Sequence, residues 1–336
     1  MKYFISLVLF ISLTAVNAKI QGAEKSFSII YIIHGDADYL YHDTSGTSYY
    51  ADKEVLDQAI NAAEGLDNAE VFIFHQGPAS RFLFFPQDDS HFYYFKNGER
   101  VKEDAYRRHK DDSFFSEEIK IYEKYRDQDK DSSIKMLLYY GHEIPERNSI
   151  NPYNITHPEI PFNDSLFAKA VKGFSAGTGF DLIVLSTCNN GTPEMVRLLS
   201  PYTKYIIASP ENLHLSQMNS LFFKNLNIKN YEPYSFGRAF AQNAFDVLEK
   251  NTLTVVTISL YDTYKIKPYL SSLSKNRLKS PEAAALNNCD CSTIESYRKQ
   301  GMESGVTVFY KPPLFGKNKN KSVHSGWGCK KETSLN

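Results

Sequence analysis

Short apolar runs, separated by stretches with helical spacing, set the rhythm of the chain from residue 27 to residue 275. Residues 27–33 (FSIIYII) are apolar without alternation, the pattern of a strand covered on both faces. In residues 52–65, Val55, Leu56, Ala59, Ile60 and Ala63 recur at the helical period, and residues 71–74 form a second strand that ends at His75. Strand, helix and strand at this spacing predict a parallel βαβ unit. Residues 134–140 predict a third core strand, stopping at Gly141, His142 and Glu143. A helix over 166–174 returns the chain to a fourth strand, residues 182–185 within DLIVLSTCNNG, closed by Ser186, Thr187 and Cys188. Thr192, Pro193 and Glu194 supply cap, first-turn proline and first-turn acid for the next helix. Residues 205–208 then predict a fifth strand, followed by Ser209, Pro210 and Glu211.

Between and beyond these elements the rhythm changes. Residues 81–100 carry two aromatic runs around QDDS and a second turn at Asn97-Gly98, which predicts an antiparallel hairpin at the sheet edge with its aromatics in a small satellite core. Residues 102–131 are charge-rich and predicted helical, as are residues 213–250. A last apolar strand is predicted at 253–260 with a helix behind it at 261–275. The expected organisation is one α/β domain over 26–278, a mainly parallel central sheet with helices on both faces. Residues 279–336 form a C-terminal extension with one further strand at 306–310.

Composition narrows what such a domain does. Residues 1–18 carry a lysine, an apolar stretch and a small-residue end, and read as a secretory signal cleaved after Ala18. No later stretch is long enough to span a membrane, so the expected product is a monomer, secreted or periplasmic. A chain of 336 residues buries enough surface for a large core without staples. Its net charge of −1 and pI of about 6.8 create no field for nucleic acid or anionic lipid. Of the four cysteines, Cys289 and Cys291 are too close to pair without strain, so Cys329 is expected to pair with one of them, leaving Cys188 free. A zinc knot of Cys289, Cys291, His324 and Cys329 is the alternative.

Taken singly, Cys188 reads as a small core residue and His142 as a strand-end histidine bonded to a loop. Together they end consecutive parallel strands, and strands lie about 4.8 Å apart, so a right-handed crossover brings both to one edge of the sheet. A thiol with a pKa of about 8.5 needs such a partner to act as a nucleophile near neutrality, and the imidazole can then protonate a leaving amine. The backbone amides of Cys188 and Glu143 are the candidate oxyanion donors. His34, followed by Gly35, is the runner-up base.

At these residues the chain resembles the clostripain family of cysteine peptidases within the caspase-like class. That class carries its histidine after one hydrophobic strand and its cysteine after the next, as LLYYGH and LIVLSTC do here. In CNNGTPEMVRLLSPYTKYIIASPEN, Glu194, Ala208, Ser209 and Glu211 match the family's glutamate on the following helix and its Ala-Ser-acid strand end. FSIIYIIHGDADYL resembles the first strand with its Gly-Asp ending, and LTVVTISLYDTYKIKPYLSSL the later strand and helix. The resemblance spans about residues 27–275 and implies a caspase-like three-layer sandwich acting on peptides or proteins. Asp36, Ser186 and Glu211 fall at substrate-pocket positions. Two positions depart from the family: Glu143 stands where a glycine usually follows the histidine, and Ser186 where an aspartate usually binds a basic substrate side chain. The residues require no cofactor. Calcium enters only through the resemblance, since Asp36, Asp38 and Asp43 do not have the spacing of an EF-hand.

Two other classes compete with the cysteine endopeptidase. The departures at Glu143 and Ser186 admit an inactive peptide-binding protein on the same scaffold. If the first four strands run in the order two, one, three, four, then His75, His34, His142 and Cys188 stand in a row, the donor set of a metal-dependent hydrolase.

Overall fold

The computed structural model describes residues 26–35, 39–43, 45–78, 81–82, 85–86, 88–108, 115–127, 133–146, 158, 160, 162–276, 305–316 and 318–328. The leader at 1–18, Asp36, Cys289, Cys291 and Cys329 lie outside them.

Strand β1 (Phe27–His34) is buried at every position, as its unbroken apolar run requires. A hairpin of β2 (Leu40–His42) and β3 (Ser48–Tyr50) precedes helix α1 (Ala51–Glu64) and strand β4 (Ala69–Gln76). The short pair β5 (Arg81–Phe82) and β6 (Phe85–Pro86) leads to a longer hairpin, β7 (Ser90–Lys96) and β8 (Glu99–Tyr106). The chain continues through α2 (Ser116–Tyr125), β9 (Ile134–Tyr140), α3 (Asp164–Ser175), β10 (Phe180–Ser186), α4 (Pro193–Leu199) and β11 (Thr203–Ala208). Next come α5 (Pro233–Asn251), β12 (Val256–Asp262), α6 (Lys267–Asn276) and β13 (Val306–Lys311).

Nine of these strands form one sheet in the order β13-β12-β11-β10-β9-β1-β4-β7-β8. The five from β11 to β4 are parallel, and both flanks are antiparallel. The order β4-β1-β9-β10 is the one expected from sequence. Alternate side chains of β1 divide between two cores: Ile30 and Ile32 pack with Tyr122 of α2, Phe167 of α3, Met195 of α4 and Leu270 of α6. Ile29, Tyr31 and Ile33 pack with Val55 of α1, Phe240 of α5 and Phe223 from the short turn between them. The result is the three-layer α/β sandwich that the strand pattern implied.

The largest departure from expectation is at residues 81–131. The hairpin turns at Asn97 and Gly98, both at positive φ (52° and 82°), the geometry that matches the twist of paired strands. Its second strand then runs to Tyr106, through residues expected to be helical. That strand, ERVKEDAY, is exposed at all but two positions, Lys102 and Tyr106, and forms the sheet edge, where charge discourages pairing with another chain. Helix over this stretch is confined, among the described residues, to Ser116–Tyr125. The hairpin aromatics are not a satellite core either: Phe92 and Tyr94 join one main core, Tyr93 and Phe95 the other. Similarly, residues 213–219 are not helical, and α6 starts only at Lys267 because Tyr261 and Asp262 complete β12.

The C-terminal residues belong to this architecture. Strand β13 pairs antiparallel with β12 from Val306 opposite Tyr261 to Lys311 opposite Val256. Beyond it, Trp327 is 1% exposed and stacks obliquely on Tyr261 and Tyr269, with ring centroids 4.6 and 5.6 Å apart. The Gly328 amide donates to the Gly191 carbonyl at 2.8 Å, and the Tyr261 hydroxyl donates to the same oxygen at 3.1 Å. Gly191 passes so close that a Cβ there would lie 2.6 Å from the Tyr261 hydroxyl, so only glycine fits. Gly328 and Tyr261 thus fasten the loop that follows Cys188. Trp327→Ala is expected to lower stability by about 3–5 kcal/mol, read as a reduced urea midpoint with an unchanged slope.

Candidate active site

Parallel pairing of β9 with β10 sets the site. Ser186 stands opposite Tyr140, so Cys188 and His142 each follow two residues beyond matched positions on neighbouring strands. The last bond between the strand ends runs from the Gly141 amide to the Ser186 carbonyl at 3.3 Å. Beyond it the loops diverge for local reasons. A Cβ on Gly141 would meet that of His34 at 2.9 Å, and Asn189 takes the left-handed conformation (φ 53°) that asparagine tolerates better than most residues.

Asn190, 1% exposed, ties the two loops together. Its Oδ1 accepts from the Ile144 amide at 2.8 Å and the Thr187 hydroxyl at 2.6 Å, while its Nδ2 donates to the Ile144 carbonyl at 3.0 Å. Leaving either buried backbone group of Ile144 unmatched costs about 1–3 kcal/mol, so this one amide holds the loop after His142 at a fixed place beside the loop after Cys188. Asn189 adds a second tie, its Nδ2 donating to Glu143 Oε2 at 2.7 Å and to Asn212 Oδ1 at 2.8 Å.

Cys188 is a free thiol, partly exposed. The main chain of Leu213 lies against it: the Leu213 amide donates to Sγ at 3.3 Å, and the thiol donates to the Leu213 carbonyl at 3.5 Å. Burial pushes the thiol pKa up, the Leu213 amide pulls it partly back, and the Glu143 carboxylate raises it further. The net effect is to favour the thiol over the thiolate.

The expected histidines have distinct surroundings. His142 is partly exposed, its ring stacked on Tyr39 with centroids 4.4 Å apart and planes at 27°. His34 is 1% exposed and lies inside the fold, with Nδ1 3.3 Å from Gln76 Oε1. Gln76 donates in turn to Glu118 at 2.7 Å, and the Tyr106 hydroxyl donates to the same carboxylate oxygen at 2.9 Å. Burial raises the Glu118 pKa. His75 is turned to Asp52, with Nε2 2.9 Å from Oδ2. The row of donors expected for a metal is thus dispersed. Among the described residues no group of three or more His, Cys, Asp or Glu is arranged to hold a metal ion. His324 of the suggested zinc knot bonds Glu211, with Nε2 3.0 Å from Oε1.

Of the pocket candidates, Ser186 is fully buried: its hydroxyl donates to Gln217 Oε1 and accepts from the Met218 amide, each at 2.8 Å. It fastens the loop after β11 to the sheet. Glu211 keeps its carboxylate partly exposed beside His324, and its carbonyl accepts from the Asn189 amide at 3.0 Å. The same loop carries His214, whose ring meets Tyr41 edge-on at 5.3 Å and whose pKa is lowered by burial. Sequence reading did not single out Tyr39, Asn190, Leu213, His214 or Gln217. Apolar residues at 213, 215 and 218 in an otherwise polar stretch were the available sign that this loop folds inward.

A partly exposed thiol and an imidazole on one rim, with backbone amides beside them, are the parts that acyl transfer requires. The model of the clostripain family (Peptidase_C11) matches residues 39–304. Among solved structures, a secreted C11 cysteine protease from Bacteroides thetaiotaomicron, called iotapain, is similar with a TM-score of 0.59 at 11% identity, over 90% of this chain and 93% of that one. An inactive zymogen C11 protease from Parabacteroides distasonis gives a TM-score of 0.59 at 13% identity, over 92% and 93%. A secreted C11 protease from B. thetaiotaomicron bound to an irreversible peptide inhibitor gives 0.52 at 16%, over 75% and 69%. No curated protein matches the chain. The matched family spans most of the described domain, including both strand ends that carry the thiol and the imidazole: the chain belongs to the clostripain family of cysteine peptidases.

Proposed function

We propose that this chain is an exported endopeptidase that cleaves peptide bonds with Cys188 as nucleophile and His142 as general acid and base. The observation that carries this reading is the matched register of Tyr140 and Ser186, which starts both loops at one level of adjacent strands. Export is read from the leader pattern of residues 1–18.

In this mechanism the thiol gives its proton to the imidazole, and the sulfur attacks the substrate carbonyl carbon. The carbonyl electron pair moves onto oxygen, where the amides of Cys188 and Glu143 are the proposed donors. Collapse of this intermediate breaks the C–N bond, and the imidazolium protonates the departing amine. Water, deprotonated by the now neutral imidazole, then hydrolyses the thioester, restoring thiol and carboxylic acid. Because burial and Glu143 both disfavour the thiolate, deprotonation requires the imidazole to accept the proton as the sulfur attacks. Ser186 is enclosed by Gln217 and Met218, so no carboxylate at that position selects for a basic side chain.

The contact of the Leu213 main chain with the thiol favours a second reading, an inactive peptide-binding scaffold. A mixed peptide library separates the two. Wild-type protein is expected to cleave it, Cys188→Ser to lose cleavage, and His142→Ala to lose about 10²–10⁴-fold in rate. An intact library with wild-type protein, and a thiol inert to alkylation when folded, would leave only the scaffold.

Glu143 gives a pH prediction. Its carboxylate raises the thiol pKa, so Glu143→Gln, which keeps an acceptor for Asn189, is expected to shift the midpoint of Cys188 alkylation to lower pH. In the wild type that midpoint lies above the ordinary thiol range of about 8.5. Rates of iodoacetamide labelling across pH, with Cys188→Ser as blank, measure both.

A further inference from the structure

The sheet reverses its winding between β1 and β9. From β1 the chain moves through α1, on one face, to β4; from β9 it moves through α3, on the opposite face, to β10. Such a reversal opens a crevice at the carboxyl ends of the two strands. His34 ends β1 and His142 follows β9, and the ring of Tyr39 fills the space between them. Tyr39 is 2% exposed, stacked on His142 at 4.4 Å, with its plane at 81° to His34 at 6.5 Å.

The surroundings of this ring are tied to the sheet and to α1. The Tyr39 carbonyl accepts from the Ala51 amide at 2.9 Å, which fixes it to the first residue of α1. His34 is bonded to Gln76, and Gln76 to the fully buried Glu118. A side chain locked in this way serves as a fixed surface for its neighbour.

We propose that Tyr39 is the positioning residue for His142, holding the imidazole plane by stacking so that its edge meets the scissile bond. The proposal rests on the role given to His142 above. A stack of this kind constrains the tilt of the imidazole plane against the Tyr39 ring. An aromatic face also favours the imidazolium, the form that protonates the leaving amine. The first loop of the fold, remote in sequence from both reacting groups, thereby sets the geometry of catalysis.

Three variants and one spectrum test this. Using the best-cleaved library peptide, Tyr39→Leu is expected to lower kcat by about 10²-fold while KM changes little, the cost of a misplaced catalytic group. Tyr39→Phe, which keeps the ring and drops the hydroxyl, is expected to stay within a few-fold of wild type. His142→Ala is run alongside. If it lowers kcat while Tyr39→Leu does not, the positioning role is overturned and the dyad stands; if His142→Ala has no effect, both fall. A loss in Tyr39→Phe equal to that in Tyr39→Leu would assign the effect to the hydroxyl and overturn stacking. Should Tyr39→Leu not fold, proton NMR of the wild type decides: ring-current shifts place the His142 ring protons upfield, identified by their loss in His142→Ala, and unshifted positions overturn the proposal.

Discussion

The parallel pairing of β9 with β10 is the constraint on which the site depends. Both strands are covered on both faces, so a slip of one residue would move Leu137 and Ile183 out of one core and Leu138 and Val184 out of the other. The energy that resists this slip is the burial of whole apolar side chains, roughly 1.5–3 kcal/mol each. The same packing that makes the fold thus fixes the level at which His142 and Cys188 leave the sheet.

Register alone places backbones, and the loops need further ties. Asn190 holds the loop after His142 through Ile144, while Gly191 is held by Tyr261 and Gly328. Asn189 reaches both Glu143 and Asn212. Three consecutive residues after the thiol therefore join the loop after His142, the loop after β11, and Tyr261 and Gly328. The site is a junction of four segments, and the sheet supplies the one rigid reference they share.

The core strands were legible because each is a continuous apolar run, and the placement of His142 and Cys188 followed from connection rules alone. Edge elements were less so. ERVKEDAY carries almost no apolar signal because neither of its faces is buried, and its charge imitates a solvated helix. Residues 306–328 were separable in sequence but not in space, since β13 finds its partner in β12 and Trp327 lies against Tyr261. Within the site, Ser186 and Glu211 were legible as positions, while the pairing of Ser186 with Gln217 and of Glu211 with His324 was not. Side-chain amides and stacked rings have no periodicity, so Asn190 and Tyr39 emerge only when distant loops are brought together.

The surroundings of Cys188 set the order of events in any reaction there. Burial and the Glu143 carboxylate favour the thiol over the thiolate, and the Leu213 main chain occupies the space beside its sulfur. The Leu213 amide stabilises a thiolate, whereas its carbonyl accepts from the thiol, so the two peptide groups flanking Leu213 act on the sulfur in opposite senses. The segment that carries Leu213 is anchored on one side by the bond from Asn189 to Asn212, and on the other by Ser186 through Gln217 and Met218. The environment of the sulfur is thus coupled to the seating of the loop after β11.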